Sequence, residues 1–218
     1  MQDSDKLAQL GPTPDIAHKV FGDRIGLAEA YARSLATAGI DRGLIGPREI
    51  PRIWERHVLN SAVLSEAIPE DARIVDVGSG AGLPGIPLAI ARSDLRVQLL
   101  EPLLRRTVYL DEIVSELGVN CTVHRGRAEE ARIVDEIGKA DIVTSRAVAP
   151  LGKLTGWSLP LVRKGGSMVA LKGASVAEEI VRDARMIEKA GGGEPRVFQI
   201  GADVLQEPTH VVEIERIR

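Results

Sequence analysis

Two textures follow one another along the chain. Up to about residue 70 the apolar positions recur at helical spacing. Between Asp15 and Ala38 they are Ile16, Val20, Ile25, Leu27, Ala28, Tyr31 and Leu35, which predicts one long helix closed by Gly39. A second helix is predicted from Pro47, a residue suited to a first turn. Pro51 still falls in that tolerant stretch, and Pro69 ends the segment. The second helix has an apolar stripe of Ile50, Ile53, Trp54, His57, Val58 and Ala62, while Arg48, Arg52 and Arg56 share another face at i, i+4 and i+8.

After Asp71 short apolar runs alternate with amphipathic ones. Strands are predicted at 73–77, 96–100, 120–124, 141–144 and 167–171, the fifth entered through the turn Lys164-Gly165-Gly166. Helices are predicted from the glycine turn to Ala91, over 103–117 and over 177–190. Gly191-Gly192-Gly193 ends the last of these, and two final strands at 196–200 and 210–217 are placed to pair as a hairpin. The pattern predicts an α/β fold over 71–218, a mostly parallel sheet with helices on both faces, behind a helical cap over 1–70.

Composition narrows the class without naming a function. The chain has 218 residues, of which 44% are apolar and 27% charged, as in ordinary globular proteins. The longest uncharged stretch, Val77 to Ala91, is broken by four glycines and two prolines, so no membrane-spanning helix is predicted. The N-terminal run Met1-Gln2-Asp3-Ser4-Asp5 lacks a basic leader, which makes a cytoplasmic location the expectation. Cys121 is the single cysteine, so neither an internal disulfide nor a zinc cluster is expected. It opens the third predicted strand and reads as packing rather than as a nucleophile. The net charge of −3 gives no overall nucleic-acid signature, and six aromatic residues are too few for a base-stacking sheet.

The strongest local signal is Asp76-Val77-Gly78-Ser79-Gly80-Ala81-Gly82-Leu83-Pro84-Gly85, between the first strand and its helix. Glycines there permit a tight turn and close approach of a ligand to the main chain. Gly80, Gly82 and Gly85 match the dinucleotide spacing G-x-G-x-x-G, but counted from Gly78 the third glycine would be Leu83. Asp76 would also repel a pyrophosphate at the helix N-terminus, whereas it would attract the sulfonium and ammonium of S-adenosylmethionine. Glu101 ends the second strand 21 residues after Gly80, placed to accept hydrogen bonds from ribose hydroxyls. The balance favours a methyl donor, with a nicotinamide-dependent oxidoreductase and a non-catalytic RNA binder as competing classes.

The turn 78–85, together with Val143-Thr144-Ser145-Arg146-Ala147, Ala170-Leu171-Lys172-Gly173 and Arg56-His57-Val58-Leu59-Asn60-Ser61, resembles the bacterial glucose-inhibited-division-B family. The resemblance runs from about Gly46 to Gly173. It departs at Asn60, where many members carry Asp, and at Arg42-Gly43-Leu44-Ile45-Gly46, which replaces an Asn-Leu-Thr segment. The resemblance implies a class I S-adenosylmethionine-dependent methyltransferase with a Rossmann-like, seven-stranded, mostly parallel sheet and an N-terminal helical extension. It implies transfer to guanine N7 of 16S rRNA at nucleotide 527 in the decoding region, hence the 30S ribosomal subunit as partner, a link to streptomycin resistance, and a monomer without metal. It also implies that Gly78, Leu83, Ala128, Glu129 and Arg146 contribute to the cofactor pocket; with Asp76, Gly80 and Glu101 these are the candidate cofactor residues.

Chemistry at the other strand ends agrees with N7. The fourth strand runs into Ser145-Arg146-Ala147 and not into the Asn/Asp-Pro-Pro-aromatic motif common in exocyclic-amine methylation. Guanine N7 is a ready acceptor with no proton to remove, so positioning can supply most of the catalysis. Between Ile142 and Ala177 lie Arg146, Lys153, Arg163, Lys164 and Lys172 with no acid among them. Arg146 and Lys172 follow the fourth and fifth strands and Arg127 follows the third, at the carboxyl edge where open α/β sheets bind ligands; these three are the candidate catalytic residues. Arg52, Arg56, His57, Lys153, Arg163 and Lys164 are the candidate RNA contacts. His57, on the apolar stripe, reads as a packed or cofactor-lining side chain rather than a base. A methyltransferase for another RNA or for a small molecule remains the alternative, because fold alone does not set the acceptor.

Overall fold

In the computed structural model, which describes residues 2–146 and 149–218, seven strands form one sheet in the order β3-β2-β1-β4-β5-β7-β6. The motif residue Ala147 lies outside the described residues, as does Met1. The strands are β1 (Arg73–Val77), β2 (Arg96–Glu101), β3 (Cys121–Arg125), β4 (Ala140–Arg146), β5 (Val162–Lys172), β6 (Arg196–Ile200) and β7 (Thr209–Glu215). β1 to β5 are parallel, and β7 runs antiparallel to both β5 and β6, so the predicted terminal hairpin forms. The central strands are buried on both faces, as a sheet covered by helices on both sides requires.

One face carries α5 (Gly85–Ala91), α6 (Leu104–Leu117) and the N-terminal helices α1 (Asp3–Leu10), α2 (Asp15–Phe21) and α3 (Ile25–Ser34). A single apolar cluster joins Tyr31, Leu35, Ile53 and Leu59 of the N-terminal segment to Leu88, Ile90 and Leu99. The helical cap and the sheet therefore share a core. The other face packs Val75, Val143 and Met168 under α7 (Ala131–Ile137), α8 (Leu151–Ser158) and α9 (Val176–Lys189). Cys121 opens β3 half-buried, and burial pushes its thiol up to about 12, away from the thiolate that a nucleophile needs.

Several expectations are corrected. The helix predicted from Asp15 breaks at Gly22, which has φ +50° and separates α2 from α3. Gly39 does not cap; it closes a π-type turn over Leu35–Gly39, and the chain turns out at Gly43, where φ is +64°. The segment from Pro47 is not one regular helix. It passes from a 3₁₀ stretch (Pro47–Arg52) through a π-type stretch (Ile53–Leu59) and the short α4 (Asn60–Ala62) to another 3₁₀ turn (Val63–Ala67). Its predicted apolar stripe is nevertheless buried throughout. Lys164-Gly165-Gly166 does not precede the fifth strand but lies inside it, as a bulge where the pairing with β4 shifts register.

Helices α1, α7 and α8 lacked a usable signal. In α8 the helix-weakening Gly152 is dictated by packing, because a β carbon there would lie 2.9 Å from Met186 Sδ and 3.0 Å from Asp183 Cβ. No helix among the described residues is long and apolar enough to cross a membrane.

Candidate functional site

Strand order reverses between β1 and β4, and open α/β sheets bind ligands beyond the carboxyl ends of the strands at such a point. A cavity of about 730 Å³ lies there, within the range for small-molecule sites. One wall is the turn after β1, from Val77 to Ala81 with Leu83. A second is the end of β2 and the start of α6, with Glu101, Pro102, Leu103 and Arg106. Gly126 to Glu129 after β3, Arg146 at the end of β4 and Trp157 of α8 complete the sheet side. The N-terminal segment closes the rest with Leu44, Ile45, Gly46, Glu49, Arg56 and His57.

The glycine turn is fixed from several directions. The Gly78 and Ser79 amides donate to the Leu100 carbonyl at 2.8 and 3.1 Å, tying the turn to β2. Gly85 opens α5 in close contact with the sheet: a β carbon there would sit 2.4 Å from Leu99 Cδ2 and 2.9 Å from Asp76 Oδ2. From the cap side, Tyr31 donates its hydroxyl hydrogen to the Ala81 carbonyl at 2.9 Å. Gly82, at φ +99°, leaves room for that hydroxyl, since a β carbon would come within 3.2 Å of it.

Two acids flank the turn in different ways. Glu101 lines the cavity although only 1% of it is exposed. Its Oε2 accepts the Gly80 amide and its Oε1 the Leu103 amide, both at 3.0 Å, and Arg106 Nη1 lies 3.5 Å from Oε2. One carboxylate thus joins the turn to the start of α6. Asp76 does not line the cavity. It is fully buried under the turn, with Oδ2 accepting the Gly85 amide at 3.0 Å and Oδ1 without a partner. Burial pushes its pKa up to about 7 despite the Gly85 hydrogen bond.

The cap and β4 meet at Arg146. Its Nη1 donates to the Arg56 carbonyl at 2.8 Å and its Nη2 lies 2.5 Å from His57 Nδ1. His57 Nε2 is 2.9 Å from Glu49 Oε2. Burial first, and the neighbouring Arg146 charge second, bring the His57 pKa down to about 4, so the ring is neutral at pH 7.

The remaining predicted residues divide by location. Gly78, Gly80, Leu83, Glu101, Arg127, Ala128, Glu129, Arg146, Arg56 and His57 all line the one cavity, Arg127 and Glu129 as exposed side chains and Ala128 as a buried one. Arg52 is exposed beside it, 3.7 Å from Glu49. Lys153 is exposed in the first turn of α8, which starts on the same edge of the sheet.

Lys172 does not reach the cavity. Its ammonium is held by Glu179 Oε2 at 2.8 Å and the Ala149 carbonyl at 3.1 Å, and the same Glu179 oxygen accepts the Leu151 amide at 2.8 Å. That arrangement clamps the start of α8 onto α9. Arg163 and Lys164 stand at the amino end of β5, and Arg163 pairs with Asp141 at 2.6 Å. Because of the bulge, Val162 to Leu171 lie opposite only Ala140 to Arg146 of β4, so Arg163 and Lys164 are about 20 Å along the sheet from Lys172. Leu44 to Gly46, Glu49, Arg106 and Trp157 also line the cavity, although no local sequence pattern marks them as site residues. Trp157, one of two tryptophans on a chain poor in aromatics, carried the one compositional signal among them.

Comparison with known proteins gives a consistent result. Residues 24–204 match the family described as GidB: rRNA small subunit methyltransferase G. A protein of Corynebacterium jeikeium named ribosomal RNA small subunit methyltransferase G is 65% identical over 209 residues, covering 96% of this chain and 94% of its own. A protein of the same name from Mycolicibacterium smegmatis is 53% identical, covering 94% and 87%. Among solved structures, an S-adenosylmethionine-dependent methyltransferase from Aquifex aeolicus superposes with a TM-score of 0.56 at 16% identity, covering 83% of this chain and 98% of its own. Aeropyrum pernix fibrillarin, solved with natively bound S-adenosylmethionine, superposes with a TM-score of 0.53 at 16% identity, covering 72% and 76%. At such identities the two structures establish the shared class I methyltransferase fold.

Proposed function

The chain belongs to the GidB family, rRNA small subunit methyltransferase G, and from that premise we propose that it transfers the methyl group of S-adenosylmethionine to small-subunit rRNA. The finer reading is N7 of a guanine in 16S rRNA, nucleotide 527 by family resemblance, presented by the 30S subunit. The observation that carries the proposal is the buried Glu101 carboxylate at the end of β2, facing the cavity beside the glycine turn.

The residues present fit the donor. Glu101 would accept from the two ribose hydroxyls, and Leu100, Pro102, Ala128 and Trp157 offer apolar surface for the purine. The Gly78–Gly80 backbone and Arg146 would meet the amino-acid end, where the guanidinium suits a carboxylate. Bound there, S-adenosylmethionine supplies an electrophilic methyl on a positively charged sulfur. Asp76 serves that arrangement through Gly85 and the turn rather than by facing the donor.

Guanine N7 needs a lone pair aimed at that methyl and no proton removal. The two buried cavity groups that could act as a base are already committed. Glu101 accepts two amides and His57 Nδ1 faces the Arg146 guanidinium. The work left to the protein is alignment of donor and acceptor. Arg56 and Arg127 in the cavity wall, Arg52 next to Glu49 and the exposed Lys153 on the same edge of the sheet would take rRNA phosphates.

The test is transfer of labelled methyl from S-adenosylmethionine to 30S subunits of a deletion strain, with the product mapped by mass spectrometry. Label on N7 of guanine 527 is the expected result. Label elsewhere in the 16S rRNA would correct the site, and label only in a free metabolite would overturn the assignment.

A further inference from the structure

Glu49 has no part in the reading above, yet it is built into the cavity wall. It comes from the 3₁₀ stretch of the cap, eight residues before His57, with a side chain 27% exposed. Its Oε2 lies 2.9 Å from His57 Nε2, and His57 Nδ1 lies 2.5 Å from Arg146 Nη2. A guanidinium can only donate. His57 Nδ1 is therefore the acceptor, and the single proton of a neutral ring must sit on Nε2, where it is donated to Glu49. The neighbours dictate the tautomer.

We propose that Glu49 is a positioning residue, acting through His57 to hold the Arg146 guanidinium in the cavity wall. The two bonds to His57 and to the Arg56 carbonyl use two of the five guanidinium N–H groups. The other three remain for a carboxylate or a base bound in the cavity. The arrangement parallels the way a carboxylate fixes the ring orientation of a ligating or catalytic histidine.

Neutrality of the ring is essential, because a doubly protonated imidazole would turn a donor toward Arg146. The charged groups facing His57 are Glu49 and Arg56 from its own segment and Arg146 from β4, and burial with Arg146 outweighs Glu49. Glu49 also stands 3.7 Å from both Arg52 and Arg56. Those side chains are 62% exposed, and such pairs contribute little. The bond to the buried ring is the stronger constraint.

This inference rests on the reading that the cavity holds S-adenosylmethionine, and two measurements on the full chain separate them. The first is calorimetric binding of S-adenosylhomocysteine to the wild type, Glu49→Ala, Arg146→Ala and the double variant. Each single change is expected to weaken binding about tenfold, the double variant should be no weaker than Arg146→Ala, and Glu49→Gln, which still accepts from Nε2, should recover most of the loss. Additive losses overturn the proposal. The second is the long-range ¹H–¹⁵N spectrum of the histidines without ligand. A single Nε2–H tautomer for His57 that becomes mixed in Glu49→Ala supports the anchor, and an Nδ1–H or doubly protonated ring at pH 7 overturns it. A wild type that keeps the tautomer but ignores S-adenosylhomocysteine overturns the donor assignment and leaves the anchor in place.

Discussion

Glu101 holds Gly80 across the mouth of the cavity: its Oε2 accepts the Gly80 amide at 3.0 Å while its Oε1 accepts the Leu103 amide at the same distance. A carboxylate has acceptors for both, whereas a glutamine must turn its NH₂ toward one of them. Glu101→Gln should therefore weaken binding of S-adenosylhomocysteine at least about tenfold and cost about 1–3 kcal/mol of stability, the penalty for a buried donor left facing a donor. Calorimetry and urea unfolding measure the two effects. Unchanged affinity in a folded variant would remove Glu101 from the donor site.

Asp76 makes stability depend on pH in an unusual direction for an acid. Its folded pKa is raised to about 7, chiefly by burial, against an unfolded value near 4. Between these values the folded state binds more protons than the unfolded one, so stability contributed by the protonated form is full below about pH 4 and is lost as pH rises through about 7. The loss amounts to a few kcal/mol at most. Asp76→Asn keeps an acceptor for the Gly85 amide and cannot ionise. Unfolding measured at pH 5.5 and 8.5 should show a smaller decline for the variant than for the wild type. Equal slopes would mean that Asp76 does not carry the proton.

Sequence periodicity recovered the sheet better than the site. β1 and β6 match their predicted ranges, because a short apolar run bounded by charged or turn residues permits few other boundaries. The glycine turn and Glu101 were legible as well, since the backbone there demands particular residue types. Orientation was harder to read. Asp76 sits next to the turn in sequence, but it shares a strand face with Ile74 and so points under the turn. Lys172 ends the correct strand, yet Glu179, seven residues on in the first turn of α9, takes its charge once that helix folds back. Glu49 and Trp157 reach the cavity only through tertiary packing, which no local pattern encodes.

Location also separates two arginines that look alike in sequence. Arg56 stands 62% exposed in the cavity wall, and only its backbone carbonyl supports Arg146, so Arg56→Ala removes an exposed cation whose 3.7 Å pair with Glu49 contributes little and leaves the anchor. It should raise KM for 30S subunits several-fold and lower the salt slope of RNA binding by about one. Arg163 lies at the opposite end of β5, paired with Asp141 and 54% exposed. Arg163→Ala should leave methyl transfer within about twofold and cost no more than about 1 kcal/mol. Matching losses in a 30S assay would show that the RNA path runs over the other edge.

Tyr31 links the helical cap to the glycine turn through a hydrogen bond. The ring is fully buried in α3, and its hydroxyl donates to the Ala81 carbonyl at 2.9 Å. Burial raises the phenol pKa well above its usual value, so it remains a donor throughout the working pH range. Tyr31→Phe preserves the packing and removes that bond alone, leaving a buried carbonyl unsatisfied at a cost of about 1–3 kcal/mol. For a chain of this length each kcal/mol lowers Tm by about 2–4 °C. Ala81 follows Gly80 directly, so slack at that carbonyl reaches the amide held by Glu101. The variant should therefore lose affinity for S-adenosylhomocysteine a few-fold as well as stability. A lower Tm with wild-type affinity would reduce the cap to a stabilising role, while loss of both would show that the cap helps to set the turn.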